Sequence, residues 1–318
     1  MMSNKISVII PVYNGEIFIA RAITSVLNQS VKPYELIVVN DGSKDRTGEI
    51  LATYGDTIKV VSIANGGVAN ARNVGIKACT GDYIAFLDAD DIWYEDKLKL
   101  QLEVFERYPQ VGFCCCDYAY FDEPSQTIKK HFLRFENDSN FNFDEPLKKT
   151  GFPLLLKENF VGTCSTVMFK RALTDQVGFF DASLRQSEDY DMWIKFSLVT
   201  EFVVLSAELL EKKTHETNLT NNFLETMLCH ERVLINLRTN SLASERLASF
   251  EDKYWTELGK LRYMIGNLFY ETNQRLQAFK YYFLGLGACW TFENIKLFGY
   301  FFGRKLVRTL SFGLVKNR

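Results

Sequence analysis

The first third of the chain alternates short, continuous apolar runs with segments in which apolar residues recur at helical spacing. The apolar runs predict strands at 6–11, 36–40, 58–63, 83–87 and 111–116, and the segments between them predict helices near 17–27, 45–54, 69–78 and 97–107. Continuous apolar strands separated by helices are typical of a parallel sheet covered on both faces. The pattern therefore predicts an α/β core.

This rhythm is lost after residue 117. The sequence is polar and irregular near 122–150, and it then predicts a helix near 189–198 and paired strands near 202–214. From residue 216 onward the periodicity is helical, most clearly at 223–237 and 254–270. The chain is thus expected to hold a first domain, 1–215, followed by an α-helical C-terminal region, 216–318.

Charge and cysteine content narrow the function classes. The 318 residues carry a formal net charge of −2, which gives no indication of nucleic-acid binding. The seven cysteines form no CxxC pair and no signal peptide is visible, so we expect a reducing, cytoplasmic setting. The sequence also lacks an uninterrupted apolar stretch of 18 residues, so no transmembrane helix is predicted.

Basic residues are concentrated at the C-terminal end, where residues 275–318 contain eight Lys or Arg and one acid, Glu293. Apolar residues recur there at helical spacing, namely Ile295, Phe298, Phe302, Leu306 and Leu310. A basic amphipathic helix of this kind can lie on an anionic membrane surface. The same apolar stripe could instead pack on the preceding helices, and the sequence leaves both interpretations open.

Polar residues follow four of the predicted strands, at the edge where ligands bind in open α/β sheets. The most distinctive group is Asp88, Asp90 and Asp91. Crowded carboxylates without an adjacent Lys or Arg suit a hard cation such as Mg²⁺ or Mn²⁺. The alternative is that Asp90 or Asp91 caps a helix starting near Trp93.

The ends of the second and third strands are less distinctive. Asp41 lies in an Asn-Asp-Gly-Ser segment that favours a turn, although its carboxylate could equally accept hydrogen bonds from a base or a ribose. Asn65 precedes two glycines, which either lead into a helix or allow a ligand to approach the backbone closely. Neither pattern decides between the two interpretations.

Taken together, these motifs resemble glycosyltransferase family 2, whose members are inverting enzymes of the GT-A fold. The matching segments, in order, are VIIPVYNG at 8–15, NDGS at 40–43, ANARN at 69–73, FLDADD at 86–91, VGFFD at 177–181 and SEDYDMW at 187–193. The resemblance covers roughly residues 5–215 and does not extend to the helical region. It implies a mostly parallel, Rossmann-like sheet flanked by helices, with nucleotide-sugar binding in about 1–116 and the acceptor side in about 117–215.

The resemblance also implies a donor site. Its residues would be Pro11, Tyr13, Asn14, Asp41, Asn65, Arg72 and Asp88. By that resemblance Pro11, Tyr13 and Asp41 hold the base and ribose, and Arg72 lies near the diphosphate or the sugar. Asn40 departs from the family pattern, because many members have a second Asp there.

For the metal and the chemistry, the resemblance implies that Asp88 and Asp90 hold the donor through Mg²⁺ or Mn²⁺, with Asp90 the more direct ligand. It makes Asp189 the general base and gives His215 a place at the metal or the diphosphate. From the residues alone, Glu188 and Asp189 could be acids that cap a helix, and His215 could be an ordinary strand-end histidine. Lys213 stands where Arg is common, and it cannot reproduce a bidentate grip on phosphate.

The function expected from this resemblance is transfer of a sugar, with inversion, from a nucleotide sugar to an acceptor hydroxyl. Family frequency favours a UDP-sugar, and the acceptor is expected to be a glycan or lipid-linked glycan in bacterial-type surface glycan synthesis, at the inner face of the membrane. One alternative is a sugar nucleotidyltransferase, but residues 11–18 lack the basic, glycine-rich phosphate loop that this chemistry needs. The second alternative is a carbohydrate-binding protein that has lost its catalytic activity. The retained acids Asp88, Asp90 and Asp189 argue against it.

Overall fold

The computed structural model describes residues 4–122, 127–135, 141–147, 151–213 and 222–288, together with the single positions 295 and 299. The chain divides into two compact units, Met1–Asn218 and Leu219–Arg318. The first unit holds the sheet, and the second is helical.

Ten strands within the described residues of the first unit form a single mixed sheet. They are β1 (Ile6–Val12), β2 (Glu35–Asn40), β3 (Lys59–Ser62), β4 (Tyr83–Phe86), β5 (Ile92–Trp93), β6 (Val111–Asp122), β7 (Thr127–Lys130), β8 (Pro146–Leu147), β9 (Met168–Lys170) and β10 (Glu201–Lys212). The order along the sheet is β3-β2-β1-β4-β9-β6-β10-β5, with β7 paired to β6 and β8 paired to β10.

The N-terminal half of this sheet is parallel, since β1 pairs in parallel with both β2 and β4, and β2 does so with β3. The carboxyl ends of these strands therefore meet at one edge. Strand β9 runs antiparallel between β4 and β6, and β6 pairs in parallel with β10. The expectation of a mostly parallel α/β sheet flanked by helices is confirmed.

Seven helices of the first unit accompany the sheet within the described residues. They are α1 (Ile19–Leu27), α2 (Thr47–Ala52), α3 (Val68–Ala78), α4 (Lys97–Arg107), α5 (Gly151–Lys157), α6 (Leu173–Val177) and α7 (Glu188–Val199). Helix α1 shows why they pack: Ile19, Ala22, Ile23 and Val26 recur on one face and are all buried. Every residue of β1 is buried as well, so the centre of the sheet is the centre of the core.

One element differs from the sequence expectation. The paired strands expected near 202–214 form one continuous strand, β10, which pairs with β6 along most of its length. Register shifts interrupt that ladder between Leu205 and Glu208 and between Glu208 and Glu211. Irregular pairing of this kind breaks the apolar alternation, and the sequence pattern therefore resembles two shorter strands.

The second unit contains α8 (Phe223–Leu237), α9 (Ser244–Ala248), α10 (Glu251–Glu271) and α11 (Arg275–Ala288). Glycines allow α10 and α11 to approach closely: a Cβ on Gly266 would lie 2.6 Å from the ring of Tyr282. Arg262 of α10 donates a hydrogen bond to Glu231 of α8 at 2.7 Å, which ties a third helix to this pair. Within the described part of the chain, no helix combines the length and the apolar character that crossing a membrane requires.

Candidate active site

The loop after β1 is joined to the loop after β2. The backbone N–H of Asn14 donates to Ser43 Oγ at 3.0 Å, and Asn14 Oδ1 accepts from the backbone N–H of Lys44 at 2.8 Å. Asn14 adopts a left-handed conformation with φ of 51°. Tyr13 is 51% exposed beside it, whereas Pro11 is buried within β1. Tyr13 thus presents an aromatic face to the sheet edge, and Pro11 shapes the strand that carries it.

Asp41 connects β2 to the start of α3. Its two carboxylate oxygens accept hydrogen bonds from the backbone N–H groups of Gly66 at 2.8 Å and Gly67 at 2.9 Å. The Asn65 side chain donates to the backbone carbonyl of Asp41 at 3.1 Å. Asp41 is almost fully buried, at 3% exposed. The carboxylate therefore fixes the loop that leads into α3, while Asn65 itself is exposed at the sheet edge.

Arg72 lies at the centre of the site. It projects from α3 and is buried, and its guanidinium donates to Asp88 Oδ1 at 2.7 Å and to Glu188 Oε1. Burial alone would raise the pKa of Asp88, but the adjacent Arg72 outweighs it and holds that pKa below its ordinary value. The Nε–H of Arg72 has no hydrogen-bond partner within the described residues. One buried cation thus joins the acid after β4 to the acid at the start of α7.

A short 3-10 turn, Cys164–Thr166, holds the aspartates that follow β4. Thr163 Oγ1 donates to Asp88 Oδ2 at 3.0 Å, and Ser165 Oγ donates to Asp91 Oδ2 at 2.6 Å. The backbone N–H of Lys213 donates to the other oxygen of Asp91 at 3.1 Å. Asp91 therefore does not cap a helix near Trp93, as the alternative interpretation had it. That interpretation is wrong because residues 92–93 form β5.

The same three acids were the candidate metal ligands. Asp91 is buried, and its pKa is raised well above the ordinary value by burial and by the negative charges of Asp90 and Asp88. Mutual repulsion among carboxylates is what a divalent cation relieves, so the oxygen donors present here suit Mg²⁺ or Mn²⁺. In the described residues no group of three or more His, Cys, Asp and Glu side chains has metal-binding geometry. His215 lies outside the described residues.

Asp189 occupies the first turn of α7, next to Glu188. Burial, followed by the negative charge of Glu188, raises the pKa of Asp189 to about 6. Its Oδ1 accepts from the backbone N–H of Tyr190 at 2.7 Å. The residue before this pair, Ser187, is buried and left-handed with φ of 65°, and its hydroxyl has no partner within the described residues. A carboxylate with a raised pKa therefore lies beside a strained turn, close enough to Arg72 and Asp88 for their charges to act on it.

The structure adds residues that sequence reasoning missed. Thr163 and Ser165 position the aspartates, and Asn159 lies 3.5 Å from Asp189 through its side-chain amide. All three belong to the irregular stretch between α5 and β9, whose path the sequence pattern did not predict. The only usable signal was composition, since the Gly-Thr-Cys-Ser run at 162–165 is polar immediately before an apolar strand.

Comparison with known proteins settles the family. The family model described as "Glycosyl transferase family 2" matches residues 7–178, which is more than half of the chain. The chain belongs to glycosyltransferase family 2. One relative in this family is TuaG of Bacillus subtilis, a glycosyltransferase named for teichuronic acid biosynthesis. It is 34% identical over 193 residues, which cover 59% of this chain and 70% of TuaG.

Two solved structures show the same fold. TarS of S. aureus, solved in complex with UDP-GlcNAc, has a TM-score of 0.58 and 18% sequence identity, covering 82% of this chain and 81% of TarS. The mannosyltransferase PcManGT of Pyrobaculum calidifontis, solved with GDP-Man and Mn²⁺, has a TM-score of 0.59 and 14% identity, covering 96% and 82%. The expectation that the chain belongs to family 2 is confirmed, and so is the expectation of a GT-A fold. The chain is a glycosyltransferase.

Proposed function

We propose that this glycosyltransferase moves a sugar, with inversion, from a UDP-sugar to a hydroxyl of a glycan or lipid-linked glycan acceptor. The observation that carries the proposal is the position of Arg72 between Asp88 and Glu188. Arg72 brings Asp88, on the donor side, and the Glu188–Asp189 pair, on the acceptor side, into one buried cluster. On this assignment residues 1–116 bind the nucleotide sugar, 117–215 form the acceptor side, and 216–318 are a helical region.

In an inverting transfer, the acceptor oxygen attacks the anomeric carbon in line with the departing diphosphate. The new O–C bond forms as the bond from the anomeric carbon to the phosphate oxygen breaks, and the electron pair leaves with the nucleotide. Asp189 takes the proton of the attacking hydroxyl, and a pKa of about 6 leaves it ionised at neutral pH, as a general base requires. The buried Arg72 supplies positive charge beside the donor-side acids, where the diphosphate gains negative charge.

Asp88 and Asp90 would hold a divalent cation, with His215 as a third candidate. Bound there, Mg²⁺ or Mn²⁺ would screen the diphosphate and stabilise its charge as it leaves. Support comes from the crowding of the aspartates and from PcManGT, which was solved with Mn²⁺. Thr163 and Ser165 would keep the aspartates oriented whether or not the cation is bound.

On the donor side, exposed Tyr13 would stack on the base, while Pro11, Asn14, Asp41 and Asn65 would shape the edge where the base and ribose lie. Asp41 would act partly through the Gly66–Gly67 loop that it holds. TarS binds UDP-GlcNAc, which supports a UDP-sugar as the donor. PcManGT binds GDP-Man, so GDP-sugars must also be tested as donors. The name of TuaG supports a role in surface polysaccharide synthesis.

The experiment is a donor panel. The purified chain is incubated with UDP-, GDP- and dTDP-sugars, with Mn²⁺ or with EDTA, and with candidate glycan acceptors, and products are identified by mass spectrometry. We expect one UDP-sugar to be consumed only with the metal, and the Asp189→Asn variant to be inactive. Transfer that is unaffected by EDTA would contradict the metal assignment, and transfer from a non-uridine donor would contradict the UDP assignment.

We further propose that the enzyme works in the cytoplasm at the inner face of the membrane, held there by its basic C-terminal segment. Of the apolar residues that motivate this, Ile295 is exposed, and the others, Phe298, Phe302, Leu306 and Leu310, lie outside the described residues. Co-sedimentation with anionic vesicles tests it on the full chain and on a truncation ending at Ala288. Binding by the full chain alone, weakened by salt, is the expected result. A full chain that stays in the supernatant at low salt would contradict it.

A further inference from the structure

Asn159 lies two residues after α5, with its side chain directed at Asp189. Its Nδ2–H donates to Asp189 Oδ2 at 3.5 Å, a long hydrogen bond. The other end of the same amide, Oδ1, is buried and has no partner within the described residues. A buried carbonyl oxygen without a hydrogen-bond partner is unfavourable, so its position beside a carboxylate calls for an explanation. The same stretch of chain contacts Asp88 through Thr163.

We propose that Asn159 is a positioning residue that serves both protonation states of Asp189. Its amide N–H donates to the carboxylate before transfer, and its carbonyl oxygen accepts the O–H of the carboxylic acid afterwards. A half-turn of the amide about its terminal torsion exchanges Nδ2 and Oδ1 at the same site. The inference rests on the proposed function, in which the proton of the acceptor hydroxyl moves to Asp189 as the O–C bond forms and the nucleotide departs with the electron pair.

The other groups around Asp189 are less suited to this role. They are Glu188, Arg72, Asp88 and Cys164, together with the backbone N–H of Tyr190. Arg72 and the N–H of Tyr190 can only donate hydrogen bonds, and Cys164 is a buried thiol, which is a weak acceptor. Glu188 and Asp88 are both bound to Arg72. The carbonyl oxygen of Asn159 is therefore a neutral, strong acceptor that is still available beside Asp189.

The direct test is nuclear magnetic resonance of the full chain labelled with ¹⁵N at asparagine side chains. The Asn159 signal is identified by its loss in Asn159→Leu, and Asn73 serves as an internal control because both ends of its amide bond to the backbone of Phe180. We expect the Asn159 amide to shift with a single midpoint near the pKa of Asp189, about 6, and to stop shifting in Asp189→Asn. A pH-independent Asn159 signal, or an unchanged titration in Asp189→Asn, would overturn the proposal.

Kinetics provide the second test, with release of UDP from UDP-GlcNAc as the probe. Asn159→Leu should lower kcat about tenfold or more while leaving the KM for UDP-GlcNAc unchanged, because the proposed function places Asn159 on the acceptor side, away from the donor-binding residues 1–116. A variant as fast as the wild type would overturn the role of Asn159 and leave the proposed function intact. If the wild type itself releases no nucleotide, it is the proposed UDP-GlcNAc chemistry that fails, and the resonance experiment still decides the role of Asn159.

Discussion

Arg72 of α3 and Glu188 of α7 form a buried ion pair although 116 residues separate them in the sequence. The same guanidinium reaches Asp88 at 2.7 Å through its other terminal nitrogen. Arginine suits this position because its planar fork presents several donors in fixed directions, which a lysine ammonium cannot do. Through these two ion pairs Arg72 connects the loop after β4 to the first turn of α7. A movement of that loop should therefore be transmitted to α7, and the reverse.

Replacing Arg72 by Leu should be strongly destabilising. The change leaves Glu188 and Asp88 without their cation, and removing one partner of a buried ion pair typically costs about 3–5 kcal/mol. We expect the free energy of unfolding in urea to fall by about that amount. Arg72→Lys should lose less, because the charge remains while the fork is lost.

The matched control is Arg46→Leu, which breaks the Arg46–Glu49 ion pair at the surface. Both side chains of that pair are about three-quarters exposed. Exposed pairs contribute little, so the free energy of unfolding should change by less than about 0.5 kcal/mol. If both variants lose the same free energy of unfolding, the effect of Arg72→Leu does not come from the burial of its ion pairs.

Asp90→Ala should remove the metal dependence of donor binding while leaving the fold intact, because Asp90 follows a strand end and is not part of the core. Titration calorimetry with UDP-GlcNAc and Mn²⁺ should show affinity weakened by about tenfold or more, and EDTA should weaken the wild type to the same level. Asp56→Ala, in an exposed 3-10 turn, is the control and should bind as the wild type does. Unchanged metal-dependent affinity in Asp90→Ala would rule out Asp90 as a ligand.

The sequence pattern predicted the parts of this site that local rules govern. Apolar runs located the strands, and Asp41 and Asp88 could be placed at one edge because the carboxyl ends of parallel strands meet there. Contacts made by irregular chain were not predictable: Thr163 meets Asp88 across 75 residues, and Asn159 meets Asp189 across 30. No periodicity records such contacts, and only packing of the sheet brings them together. The bonding of Asp41 to Gly66 and Gly67 was missed for the same reason.

Asp189→Asn should reduce turnover by at least ~10²-fold, the lower end for loss of a positioned general base, while donor affinity stays the same. In the wild type the pKa of Asp189 is raised to about 6, and the base must be ionised to act. Turnover should therefore be constant above that pH and fall about tenfold for each unit below it. Asp191→Asn is the control, because Asp191 is held in an ion pair with Lys195. If only Asp191→Asn loses turnover, the base has been misassigned.

Ser187→Gly should stabilise the protein. Ser187 has a φ of 65°, and its buried hydroxyl neither caps α7 nor finds another partner within the described residues. A left-handed conformation costs a non-glycine residue roughly 1–2 kcal/mol, and glycine removes that cost but loses part of the gain to its more flexible unfolded state. The free energy of unfolding in urea should therefore rise by about 0.5–1 kcal/mol. Ser197→Gly, in the interior of the same helix, should instead lower it by about 1 kcal/mol, because glycine is a poorer helix former than serine and the hydrogen bond from the Ser197 hydroxyl to the Ile194 carbonyl is lost. A loss in both variants would mean that the Ser187 hydroxyl is bound in solution, for example by an ordered water, and that its hydrogen bond outweighs the backbone strain.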